Sequence, residues 1–148
     1  MFGAIGRRLD DEEMRRILAQ CKAIAIVGLS PRAERDSNMV ARYLQGAGYQ
    51  IIPINPAEES ILGQRCYPDL LSVPQHIDIV DVFRRPDAVG PIASQAVACG
   101  AGALWLQLGV SNQPAEDQAR AAGLAVISDS CIKVEHMRLL GRANDALL

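Results

Sequence analysis

The residues in this chain best suited to holding an anion fall in two short segments. The first follows Gly28: Leu29-Ser30-Pro31-Arg32-Ala33-Glu34-Arg35-Asp36-Ser37 packs two arginines, two carboxylates and two hydroxyls into nine positions. Such a segment cannot enter a core and must face solvent or a polar ligand. Asp36 or Ser37 is placed to accept the first free N–H groups of a helix whose apolar face is Met39, Val40, Tyr43, Leu44 and Ala47. Glycine, polar loop and helix start together direct unpaired N–H groups and the positive end of a helix dipole at one spot, which suits phosphate. The second segment is Phe83-Arg84-Arg85-Pro86, where proline forces Arg85 into an extended conformation. Each charged hydrogen bond from such arginines contributes about 1.5–3 kcal/mol.

The four cysteines, Cys21, Cys66, Cys99 and Cys131, form no CxxC pair and have only His76 and His136 to assist them. Reduced thiols are therefore expected in preference to a metal site or disulfides. Cys21 and Cys99 lie on apolar helical faces. Cys131 differs: it stands between an apolar run and a helix, where a dipole and exposed N–H groups favour a thiolate. Spacing nominates no Ser-His-Asp or Cys-His-Asp arrangement.

The elements that position these groups read as one α/β domain over the 148 residues, with a core from about 11 to 141. Five apolar runs predict buried strands: Ala23 to Val27, Tyr49 to Ile54, Ile77 to Phe83, Ala103 to Leu108 and Leu124 to Ile127. Pro53 within the second tells against a position needing a full ladder of N–H bonds. Asp10 with Glu13 forms a capping box before an N-terminal helix, with Met14, Ile17, Leu18 and Cys21 as its buried stripe. Further helices are expected after Pro91, after Pro114 and after Cys131, with a weak crossover from Ala57 to Pro74 and a frayed tail after Gly141. This alternation predicts a doubly wound parallel sheet in the order 3-2-1-4-5. A ligand then sits beyond the carboxyl ends of the strands, near the switch between strands 1 and 4.

Composition narrows the partners. The hydrophobic fraction of 49% arrives in runs far shorter than the roughly 18 residues a membrane span needs. Met1 to Arg8 carries too little apolar length for a signal peptide, so a cytoplasmic protein is expected. A net charge of −2 gives no general attraction to nucleic acid. Gly28-Leu29-Ser30-Pro31 is not the GxGxxG fingerprint, and Asn55-Pro56 stands where a ribose-binding acid would hold NAD, so NAD is disfavoured on both counts. NADP survives only through Arg32 or Arg35.

Five ordered blocks together resemble the small stand-alone bacterial CoA-binding protein family. They are Ile26 to Pro31, Ile52 to Pro56, Asp81 to Pro86, Trp105 to Val110 and Asp129 to His136, and the resemblance covers about Asp11 to Gly141. That family is similar to the CoA-binding domain of the succinyl-CoA synthetase α subunit, which has a Rossmann-like fold. The resemblance implies coenzyme A bound across the carboxyl ends of the strands, its pyrophosphate at the first loop and helix. The synthetase's phosphorylated histidine belongs to a following domain, and His136 reads as structural or superficial.

On this reading Gly28, Leu29 and Ser30 meet phosphates, with Arg32, Arg35 and Ser37 beside them. Asn55 and Pro56 shape the wall under adenosine or pantetheine. Phe83 stacks an adenine, or Arg84 and Arg85 hold the 3′-phosphate. Gln107, Leu108, Gly109 and Val110 line the pantetheine arm, and Cys131 meets the thiol end. Trp105 reads as core. The expected role is a carrier or sensor of CoA or acyl-CoA. The alternatives are an enzyme acting on CoA thioesters or CoA thiol and disulfide forms through Cys131, and a ligand-free scaffold for a protein partner.

Overall fold

The computed structural model describes residues 8–141, so the expectations for the tail after Gly141 and for most of the first eight residues lie outside it. In chain order the elements are α1 (Asp11–Gln20), β1 (Ala23–Val27), α2 (Asp36–Gly46), β2 (Gln50–Ile54), β3 (Ser60–Ile61), β4 (Gln64–Arg65), β5 (Ile79–Val82), α3 (Val89–Ala98), β6 (Ala103–Leu106), α4 (Gln113–Ala121), β7 (Ala125–Ile127) and α5 (Ile132–His136). One turn of 3₁₀-helix spans Leu70–Ser72, another spans Pro86–Ala88, and a π turn, Met137–Gly141, follows α5. No helix among the described residues is long and apolar enough to cross a membrane.

Five strands form a parallel sheet in the order β2-β1-β5-β6-β7. The fold is α/β and Rossmann-like, as the alternation of strands and helices requires. Counted as the five expected strands, however, the order is 2-1-3-4-5 and not 3-2-1-4-5, so the switch lies between strands 1 and 3. Pro53 supplies the physical reason. In the expected order strand 2 would be flanked on both sides, whereas here it is an edge. The Pro53 carbonyl accepts from Tyr67 N–H at 3.0 Å on the outer side of β2. A strand residue's N–H and C=O point the same way, so the donor that proline lacks falls on that outer side and no sheet bond is lost.

Strict alternation along the strands divides the core in two. Val27, Ile54, Val80, Val82, Leu104 and Val126 face α3 and α4, where Val89, Ala93, Ala96, Ala115 and Ala119 meet them. Ile24, Ile26, Ile51, Ile79, Trp105 and Ile127 face the other layer, packed by Met14 and Leu18 of α1, Val40, Ala41 and Leu44 of α2, and Ile132 of α5. Trp105 is fully buried and donates its indole N–H to the Ser130 carbonyl at 2.8 Å. The Asp10–Glu13 capping box is present at α1.

Two local expectations need correction, and a third gains detail. Arg35, not Asp36 or Ser37, is the N-cap residue of α2, and no side chain caps that helix, because Ser37 turns its hydroxyl to the Ser30 N–H instead. Helix α3 begins at Val89, ahead of Pro91, because Pro86 already opens a 3₁₀ turn leading into it. The crossover between β2 and β5 holds a two-stranded hairpin turning at Gly63, with β3 and β4 antiparallel.

One buried group opposes the fold. Asp81, in β5 between Ile26 and Trp105, is 0% exposed, and neither carboxyl oxygen has a hydrogen-bond partner. Burial pushes its pKa well above the usual carboxylate value. Folded protein therefore keeps a proton that unfolded chain releases above about pH 3.9, so stability is lost as pH rises from there towards the folded pKa. Asp81→Asn should remove this loss: in urea unfolding, the stability of wild type should fall relative to that of the variant as pH rises from about 4. Parallel stability curves for the two proteins would contradict it.

Candidate functional site

The site begins where β1 ends. Gly28 takes φ +87°, and a Cβ there would stand 2.5 Å from the Phe83 carbonyl oxygen and 2.9 Å from Arg84 Cδ. Glycine is needed both for its backbone conformation and because the end of β5 passes directly over it. The strands lock the approach: Gly28 N–H donates to the Ile54 carbonyl at 3.2 Å, and Phe83 N–H donates to the Val27 carbonyl at 2.9 Å.

Beyond Gly28 the first loop is braced by its own helix. Ser30 N–H donates to Ser37 Oγ at 3.0 Å, and Asn38 Nδ2 donates to the Ser30 carbonyl at 2.9 Å. Arg42 Nε donates to Asn38 Oδ1 at 2.9 Å, while its Nη2 donates to the Ala33 carbonyl at 2.8 Å. Ser37 and Asn38 are buried, so the bracing is shielded from water and holds the loop in one shape. Asn55 Nδ2 adds a strut from the end of β2, donating to the Leu29 carbonyl at 3.0 Å.

These elements enclose a cavity of about 420 Å³ at the carboxyl ends of β1 and β2, a volume typical of small-molecule sites. Gly28, Leu29 and Ser30 line it on one side, with Asn55 and Pro56 on another and Arg84 at the third. The remaining wall was not visible in the residue pattern: Pro68, Asp69 and Leu70 from the crossover, with Ile92 and Gln95 from α3. The only available signal was Asp69, which reads as the start of a helical turn and does accept from Ser72 N–H at 2.9 Å.

The four arginines separate into two kinds. Arg32 Nε pairs with Glu34 at 2.8 Å, and Arg85 Nε pairs with Asp87 at 3.3 Å, both at the exposed surface. Arg35 and Arg84 have no ion-pair partner among the described residues, and Arg84 alone of the four lines the cavity. Phe83 is half-buried against the layer of α1, α2 and α5, on the far side of the sheet from the cavity. The fourth-strand residues are also elsewhere. Gln107 is buried and accepts from Ile132 N–H at 3.1 Å, Leu108 is 73% exposed, Gly109 N–H donates to Asp129 Oδ1 at 2.7 Å, and Val110 packs into the α3 and α4 core. Cys131 is half-buried at the start of five-residue α5 and does not line the cavity. All four cysteines are free, and no group of metal-ligating side chains exists among the described residues.

A second depression, of about 300 Å³, lies at the opposite ends of the strands, beside Cys21, Tyr49 and His136. His136 is buried there, its Nδ1 2.7 Å from the Tyr43 hydroxyl and its ring edge-on to Tyr43 and Tyr49. Burial lowers its pKa, so it is held neutral as a packing residue. The Cys21 thiol nearby is pushed up to about 12 by burial and by the Asp78 carboxylate.

A parallel sheet with a cavity at the carboxyl ends of its strands, beside a loop that opens with glycine, defines the class of Rossmann-like α/β folds. Within that class the chain belongs to the CoA binding domain family, whose model matches residues 22–137. It is 41% identical over 124 residues, 84% of this chain and 92% of the relative, to the uncharacterized protein YneT of Bacillus subtilis. The structure is similar to that of a hypothetical protein from Pyrococcus horikoshii, with a TM-score of 0.88, 41% identity, and coverage of 95% of this chain and 100% of that one. Over a shorter stretch of 58 residues, 39% of this chain and 8% of the relative, it is 31% identical to an ADP-forming acetate–CoA ligase of Archaeoglobus fulgidus.

The packing over Gly28 yields a direct check. Gly28→Ala should destabilise by at least about 2 kcal/mol, since positive φ and the Phe83 contact act together. Gly109→Ala, at φ +82° with nothing within 4 Å of the added carbon, should lose only about 1 kcal/mol. Urea midpoints that shift equally for both would show that the strand end does not press on Gly28.

Proposed function

We propose that this protein binds coenzyme A or an acyl-CoA at the cavity over β1 and β2 and works as a carrier or sensing module in the cytoplasm. The observation that carries the reading is the placement of Arg84. Its stem lies against Gly28, it has no carboxylate partner among the described residues, and it borders the one cavity formed by the first loop and the β2 end. An unpaired guanidinium beside a braced loop is matched by a phosphate group. Membership of the CoA binding domain family supports CoA as the molecule that brings it.

In this assignment Gly28, Leu29 and Ser30 bound the diphosphate, and Arg84 bonds a phosphate oxygen. Arg35, exposed at the start of α2, stands near enough in sequence to Ser37 and Asn38 to assist. Asn55 and Pro56 border the nucleoside. Ser37, Asn38 and Arg42 act one step removed, by keeping the loop in its binding shape. Free cysteines throughout agree with a reducing compartment.

Calorimetry distinguishes the ligand. CoA should bind and NAD should not compete, because no acid stands at the end of β2 to take NAD's ribose hydroxyls. Arg84→Ala should weaken CoA by about ten- to a hundredfold, the equivalent of one charged hydrogen bond. Arg85→Ala should change affinity less than about twofold, since its side chain is 79% exposed and pairs with Asp87. Tighter binding of NAD than CoA, or a larger loss from Arg85→Ala than from Arg84→Ala, would overturn the assignment.

A further inference from the structure

The wall supplied by the crossover carries two polar groups that the phosphate contacts leave unused. Asp69 precedes the 3₁₀ turn, and its Oδ1 takes both bonds from Ser72, from the N–H at 2.9 Å and from the hydroxyl at 2.7 Å. Its Oδ2 has no partner among the described residues. Gln95 reaches across from α3, and its Oε1 accepts from Leu70 N–H at 3.1 Å. Only an oxygen can accept there, so the amide orientation is settled and Nε2, a pure donor, is the end without a partner. The two residues meet at one peptide unit, because the Leu70 nitrogen is bonded covalently to Asp69 and by hydrogen bond to Gln95. Both line the cavity.

A free acceptor and a free donor from residues that meet at one peptide unit, in a cavity that also offers the apolar surfaces of Ile54, Leu70, Ile92 and three prolines, are the complement of a flat heterocycle with one polar edge. Apolar walls suit the faces of a base, and the polar pair reads its edge. The 6-aminopurine edge offers an N–H donor on the exocyclic nitrogen next to a ring-nitrogen acceptor. A 6-oxopurine replaces that donor with an acceptor, which would face the Asp69 carboxylate. With the sugar tethered at the first loop, the ring cannot be turned over to restore the match.

We infer that Asp69 and Gln95 form a base-reading pair that selects an adenine-type ligand over its 6-oxo counterpart. Asp69 Oδ2 accepts from the exocyclic amino group, and Gln95 Nε2 donates to the adjacent ring nitrogen. The inference rests on the CoA reading and names the end of the molecule that occupies the cavity. The pantetheine arm then leaves over the rim.

The test compares CoA with its hypoxanthine analogue, in which an oxo group replaces the amino group, by calorimetry on wild-type protein and on Asp69→Asn. Wild type should prefer CoA by about tenfold or more, since a site built to accept a proton rejects a ligand that lacks it. Asp69→Asn keeps an oxygen for Ser72 and places a donor where Oδ2 stood, so its preference should shrink or reverse. Equal affinity of wild type for the two ligands would overturn the base-reading pair while leaving CoA binding standing. Binding of neither ligand would overturn the CoA reading and this inference with it. The wild-type comparison decides even if the variant fails to fold.

Discussion

The site depends on how closely the end of β5 crosses β1. Gly28 has no room for a side chain, because the Phe83 carbonyl and the Arg84 stem occupy that space. Phe83 N–H and Gly28 N–H are both committed to neighbouring strands, so neither backbone can retreat without breaking the sheet. This contact brings Arg84 to the mouth of a crevice that the strands alone would leave open. The order of strands makes it possible: only when strand 3 lies beside strand 1 do the loops after them face one another.

Rigidity on the first-loop side comes chiefly from Asn38 and Arg42, which do not line the cavity. Arg42 looks like a surface arginine, but it is bonded to Asn38 and to the Ala33 carbonyl, and Asn38 in turn holds Ser30. The effect is preorganisation, in which the loop loses its conformational freedom on folding and so need not lose it on binding. Asn55 serves the same end from β2. Asp81 stands in contrast, since its neutral carboxyl weakens the fold without bracing anything among the described residues.

Strands and helices were legible because their periodicities are strong: five apolar runs, a capping box and Trp105 among apolar neighbours all lie as the pattern requires. The strand order was written in Pro53 but is a weak signal, since a proline excludes a central position without naming the neighbour that an edge strand keeps. Residues adjoining the first glycine were readable because chemistry and chain position coincide there. Pro68, Asp69, Ile92 and Gln95 were not, because they reach the cavity by packing of the crossover on α3, a contact between segments some 25 residues apart that no local pattern encodes. Phe83 misled for a similar reason. Alternation along β5 sends its side chain to the opposite face from the crevice, while its carbonyl oxygen makes the contact with Gly28.

On the proposed function, ligand enters at the crossing of β1 and β5. Titration of isotope-labelled protein with CoA, followed by amide resonances, tests it most directly. Shifts should concentrate at Gly28, Leu29, Ser30, Asn55, Asp69 and Leu70 and at the Gln95 side chain, with Cys21, Tyr49 and His136 at the far ends of the strands unmoved. Shifts centred on Cys21, Tyr49 and His136, or a saturated complex with Gly28 to Ser30 unmoved, would contradict it.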